Sequence, residues 1–194
     1  MTEDVRPPPG RSGVSADATV RLLSAKGAAA VPHPGGKLLD HLRRVHATLL
    51  DWGARPELRL AGLCHAFYGT DGFRVPLGDP GRRAELADAI GAGAEQIVYT
   101  YASCDRARSY PRLTEPGGAF IDRFTGEPLD LAPGERRDFA ELTAANELDV
   151  LAHARDPAPV EAAGLLDLLT GWEPLLSAPA ARAVRAARRA AGGR

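Results

Sequence analysis

The chain has 194 residues, enough for one domain with a sizeable core. Its 24 Lys and Arg nearly cancel its 25 Asp and Glu, so no global charge points to nucleic acid or an anionic membrane surface. No apolar run approaches the roughly 18 residues that span a bilayer, and Cys64 and Cys104 are too few for a disulfide framework or zinc knuckle.

Residues 1–14 read as a flexible tail, because Pro7-Pro8-Pro9-Gly10 builds neither a helix nor a packed face. The same stretch lacks the apolar centre of a secretion signal, so a cytoplasmic location is expected. A single domain is expected over 15–191. Ser15 or Asp17 can cap a first helix through about Ala29. Val31-Pro32-His33-Pro34-Gly35-Gly36 reads as a loop by its prolines and glycines. A second helix is predicted from about Lys37 to Trp52, since Leu38, Leu42, Val45, Leu49 and Trp52 recur at helical spacing, and Gly53 closes it.

Pro56 opens a third helix that is apolar on most sides and should therefore be central. Asp79-Pro80 predicts a short fourth helix, Pro80 to Ala89, and Gly91 separates it from a fifth with Ala94, Ile97, Val98 and Tyr101 on one face. Residues 105–133 change character. Phe120–Phe124 and Pro128–Leu131 flank Thr125-Gly126-Glu127, which predicts a small β-hairpin. Helix returns from Arg136 to His153. Pro157 and Pro159 precede another helix at about Val160–Leu169, and a basic helix spans about Ala178–Ala191.

Three stretches carry a resemblance. Asp40-His41-Leu42-Arg43-Arg44-Val45 places a histidine early in an amphipathic helix. Leu60-Ala61-Gly62-Leu63-Cys64-His65-Ala66 is an apolar helix ending in histidine. Glu141 to Asp149 holds Ala144-Ala145-Asn146-Glu147-Leu148 within a helix. In this order and spacing they resemble the HD superfamily of metallohydrolases, most closely the hydrolase domain of guanosine tetraphosphate synthetase/hydrolases. Ile90–Val98 is similar to the Phe-Gly-x-x-Val-Ala-x-Leu-Val segment of that domain. The wording of Leu39–Leu42, Ala61–His65 and Tyr68-Gly69-Thr70 also looks like an uncharacterised HD-like family of bacteria and fungi. The resemblance covers about 30–155 and implies an all-α, HD-domain-like helical bundle with the β-hairpin as an insertion.

The departures limit what the resemblance implies. The family's metal-binding aspartate falls on Ala66, its last aspartate ligand on Asn146, and its water-organising Glu-Asp pair on Gly69-Thr70. Carboxylates supply the charge that holds hard divalent ions, so a dinuclear site and hydrolysis of guanosine tetraphosphate are not expected. At most one divalent transition-metal ion is expected, on His41, His65 and Asn146, with His33, Asp40, Tyr68 or a substrate atom completing the shell.

Each residue also has a plainer reading. A lone buried histidine is more often a satisfied core residue than a ligand, but His41 and His65 stand in register with each other. His33 either caps the second helix or lines the pocket, while His46 and His153 read as helix-surface residues. Tyr68-Gly69-Thr70 could simply end a helix; it also places hydroxyls one turn beyond His65, within reach of one cavity. Asn146, disfavoured inside a helix, suggests a buried polar network. Cys64 and His65 point about 100° apart on a helix, which argues against a nucleophilic dyad. The candidate catalytic residues are therefore His65, Tyr68 and His33, the candidate metal ligands His41, His65 and Asn146, and the candidate substrate pocket Thr70 and Asp40. The expected partner is a small molecule. A diverged small-molecule enzyme and a non-catalytic ligand-binding or regulatory module both remain open, with a purely structural protein behind them.

Overall fold

The computed structural model describes residues 15–154 and 159–192; the expected tail and the Pro157 break lie outside them. Among the described residues the chain is mostly helical, with two small antiparallel hairpins.

Helix α1 is Ala16–Ala25, and the Ser15 hydroxyl accepts from Ala18 N at its start. It ends four residues earlier than expected. Gly27 turns the chain with φ of +90°, and Ala28 N bonds back to Leu23 O. The segment expected to be only a loop is a hairpin, β1 Pro32–His33 and β2 Gly36–Lys37. Its turn, Pro34-Gly35, places proline where φ is fixed and glycine where φ is +80°. A Cβ on Gly35 would meet His153, so this glycine also lets the hairpin dock against the end of the long helix α7, Pro133–His153.

Helix α2, Leu38–Asp51, buries Leu38, Leu42, Val45 and Leu49 as the spacing predicts, and Gly53 follows with φ of +75°. Helix α3, Pro56–Cys64, is central. Residues 61–70, the end of α3 and the turn beyond it, form an unbroken buried run. Gly62 makes that burial feasible: a Cβ there would collide with Leu49 Cδ1 of α2. Helices α2, α3 and α7 pack against one another, and α3 also packs on α5, Ala92–Ser103.

Helix α4 is Arg83–Ile90, not Pro80–Ala89. Asp79 spends its side chain on Gly81 N, and Asp79 O accepts from Arg82 N, so Pro80–Arg82 form a turn ahead of the helix. The predicted hairpin forms as β3 Phe120–Ile121 and β4 Pro128–Leu129, with Phe120 opposite Leu129. The short helix before it, α6, Arg106–Ser109, was not expected; Asp105 caps it by accepting from Arg108 N. Helix α7 begins three residues earlier than expected, because Glu135 accepts from Ala132 N and stabilises the first turn. Helices α8, Pro159–Gly171, and α9, Ala178–Gly192, pair and cover part of α7. Among the described residues no helix is long and apolar enough to cross a membrane.

Candidate functional site

A fully buried histidine needs partners for both ring nitrogens, since each unmet group costs about 1–3 kcal/mol. His41 is buried in the first turn of α2. Its Nδ1 lies 2.6 Å from Asp149 Oδ2 on α7. Asp149 also accepts from Arg44 Nε at 2.7 Å and Nη2 at 2.9 Å. Burial alone would raise the Asp149 pKa, but the hydrogen bonds from His41 and Arg44 hold this carboxyl well below the usual range. An ionised carboxylate only accepts, so Nδ1 of His41 carries the hydrogen, and in the neutral ring Nε2 presents a lone pair.

His65 follows the last residue of α3 and is also buried. Its Nδ1 donates to Gly62 O at 2.8 Å, which again leaves Nε2 as the acceptor of the neutral ring. Burial first, and then the neighbouring His41, push its pKa down to about 3, so His65 is neutral near pH 7.

The two Nε2 atoms face each other at 3.2 Å, and Asn146 Oδ1 on α7 lies 3.0 Å from that of His41. Three acceptors thus converge on one point. With both rings neutral no hydrogen lies between the two Nε2 atoms, and the crowding is relieved by a proton on one imidazole, by a metal ion, or by the Asn146 amide turned to present its N–H. Among the described residues no group of three His, Cys, Asp or Glu side chains is arranged to hold a metal ion; the third donor here is an amide.

His33 on β1 stacks on His41, with ring centroids 4.1 Å apart, and is only partly buried. Burial and the His41 ring lower its pKa to about 4, so it too is neutral near pH 7. The cluster opens into a cavity of about 170 Å³. His33, His65, Asn146, Thr70, Arg106 and Glu147 supply its polar wall; Ala66, Phe73 and Val150 are among the apolar lining.

The structure therefore gathers His33, His41, His65, Asn146 and Thr70. It separates two other candidates from them. Tyr68 turns the opposite way and donates to Glu95 Oε1 at 2.9 Å, where Arg83 closes the ion pair. The acceptor Glu95 on α5, not the distance along the chain from His65, sets the direction of this side chain. Asp40, also in the first turn of α2, is solvent-exposed and does not line the cavity. Asp149, Arg44, Arg106 and Glu147 also belong to the site and were not expected there. A signal existed for two of them: His41 and Arg44 are three apart, as are Asn146 and Asp149, so each pair shares a helix face.

The family model described as "Domain of unknown function (DUF6817)" matches residues 22–106, less than half of the chain. The matched segment carries His33, His41, His65, Thr70 and Arg106 but stops before α7, which supplies Asn146, Glu147 and Asp149. No curated protein and no solved structure matches the chain.

Proposed function

We propose that this chain is a diverged HD-like protein, an enzyme acting on a small molecule in the cavity beside His65, with at most one transition-metal ion at His41, His65 and Asn146. The observation that carries the reading is the convergence of two imidazole acceptors, each with its tautomer fixed from behind, beside the Asn146 amide. A satisfied core histidine would aim its second nitrogen at a donor. Here a carboxylate behind His41 and a carbonyl behind His65 turn both Nε2 lone pairs to one point, as metal-binding imidazoles are commonly held.

The donor set fits one nitrogen-preferring ion. Two ligands of a tetrahedral ion with bonds of about 2.0–2.1 Å stand roughly 3.3 Å apart, close to the 3.2 Å between the imidazoles. Without a carboxylate among these ligands, hard ions that demand oxygen charge are disfavoured. Such an ion, when bound, would polarise a ligand oxygen as a Lewis acid. The remaining roles belong to the chain. His33, neutral and at the cavity wall, is placed to accept a proton from a ligand O–H or N–H. Thr70 offers a hydroxyl, and Phe73 and Val150 exclude water from one side. His65 is the alternative proton acceptor where no ion is held.

The second reading, a ligand-binding module without catalysis, is favoured by Ala66. It puts a methyl on the cavity wall at the place where the resemblance calls for a carboxylate.

The test is isothermal titration of untagged, chelator-treated protein with Zn(II), Ni(II) and Mn(II). One ion per chain is expected, with Zn(II) or Ni(II) preferred and binding weakened at least about tenfold by His65→Ala. If none of the three ions binds stoichiometrically, the metal reading is overturned.

A further inference from the structure

The cavity's other polar end is built from Arg106 of α6 and Glu147 of α7. A guanidinium has five N–H donors. Arg106 Nη1 donates to Glu147 Oε1 at 2.9 Å, and no other side-chain hydrogen bond of Arg106 is present among the described residues. The carboxylate of Asp71, next to Gly72, accepts from the backbone N–H of Arg106 at 3.2 Å, and that of the adjacent Asp105 accepts from Arg108 N. A second donor nearby is also unmatched. The Tyr101 hydroxyl is buried beside the Arg106 guanidinium, which approaches its oxygen, and its own O–H has no acceptor of normal geometry. Its ring rests edge-on against His65, with centroids 5.3 Å apart. Donors therefore outnumber acceptors at this end of the cavity, while the His41–His65–Asn146 end has the opposite imbalance.

Gly72 shapes the same place. An added Cβ would lie 3.3 Å from Arg106 Nη1 and 3.5 Å from Cζ, so the guanidinium rests against this glycine and would have to shift by a few tenths of an ångström to admit a methyl. The cavity, about 170 Å³, is below the roughly 300–1,000 Å³ typical of drug-sized ligands.

We propose that Arg106 is the specificity residue of this pocket and that the ligand is a small oxyanion, a carboxylate or phosphate group on a compact molecule, held by the guanidinium donors that Glu147 leaves unused. This rests on the reading of the cavity as a ligand site, but not on a metal being bound. Arginine suits the task because its planar fork matches the two oxygens of such a group. Glu147 has two consequences: it fixes the guanidinium over Gly72, and its own negative charge, 2.9 Å away, opposes the incoming anion. Removing that charge while keeping an acceptor should therefore strengthen anion binding, an effect opposite in sign to the loss of a merely structural ion pair.

The experiment is calorimetric titration of metal-free protein, at low ionic strength, with acetate and with inorganic phosphate; uncharged acetamide is the control. Wild-type protein is expected to bind one of the two anions saturably in the millimolar range and acetamide not at all. Arg106→Lys keeps the charge but removes the fork and should weaken binding about tenfold, and Gly72→Ala should weaken it by displacing the guanidinium. Glu147→Gln should tighten binding by about threefold or more. Circular dichroism establishes that each variant is folded, and the Gly72→Ala and Glu147→Gln results stand without Arg106→Lys. Absence of saturable anion binding by the wild type overturns the proposal. So does affinity unchanged in Arg106→Lys, or weakened in folded Glu147→Gln. Because no metal is present, this result is separate from the ion titration: either reading can fail while the other stands.

Discussion

Replacing Asp149 with alanine tests the anchoring of His41 most directly. The substitution removes three charge-assisted hydrogen bonds at once, one from His41 and two from Arg44. It leaves the Nδ1–H of a fully buried imidazole without an acceptor. Breaking a buried ion pair by removing one partner costs about 3–5 kcal/mol. The Arg44 side chain is 28% exposed and regains water when freed, so the low end, about 3 kcal/mol, is expected. For a domain of this size each kcal/mol moves Tm by about 2–4 °C, which predicts a fall of roughly 6–12 °C. Asp149→Asn keeps an acceptor for His41 and should lose about half as much. The assay is calorimetric melting of metal-free protein, followed by Zn(II) titration. Loosening the support of a metal-binding imidazole typically weakens affinity about 10- to 100-fold. If alanine changes Tm by no more than the scatter between replicates, or asparagine costs as much as alanine, the assigned role of Asp149 is wrong.

Asn146→Asp adds a carboxylate beside two imidazoles, so affinity for Mn(II) or Ni(II) should rise; unchanged affinity in the folded variant, read by calorimetry, would place Asn146 outside any metal site. Gly62→Ala drives a methyl into Leu49 between α2 and α3 and should cost about 1–3 kcal/mol in urea unfolding. The depressed pKa values of His33, His46 and His65 set a pH dependence. Each histidine is held neutral in the folded chain but takes up a proton in the unfolded chain below its ordinary value of 6.5. The unfolded state therefore binds more protons, and stability should fall as pH drops from 6.5 towards the folded values, about 4 for His33 and about 3 for His65. A urea midpoint that stays constant from neutral pH to the acid side of that window would contradict the burial of these rings.

Helical periodicity revealed most of the architecture. Leu38, Leu42, Val45 and Leu49 marked the inner face of α2, and the turn at Gly126 marked the later hairpin. What periodicity could not reveal was short, turn-driven structure. The β1–β2 hairpin has only two residues per strand, too few to alternate, and α6 is a single turn fixed by the Asp105 cap. The site was legible in half. His41 and His65 stood out because each polar ring interrupts an apolar face. Asp149 and Glu147 did not, because a carboxylate near the end of a helix ordinarily faces water; only the packing of α7 against α2 and the ion pair with Arg106 hold them inside. Tyr68 shows the converse limit: proximity along the chain to His65 said nothing of Glu95, its partner on α5.

The contact between His41 and Asp149 joins residues 108 positions apart. Loop closure over such a separation is slow and entropically costly, so the cavity is expected to be among the last features to form as the chain folds. Until α7 docks, the two rings lack Asn146 before them, His41 lacks Asp149 behind, and Arg106 lacks Glu147. A chain ending at residue 106, where the family match stops, would hold the histidines and the Gly62 carbonyl behind His65, yet lack the carboxylate that sets the tautomer of His41. Competence at this site is thus a property of the completed topology, and its appearance during refolding can serve as a clock for the arrival of α7.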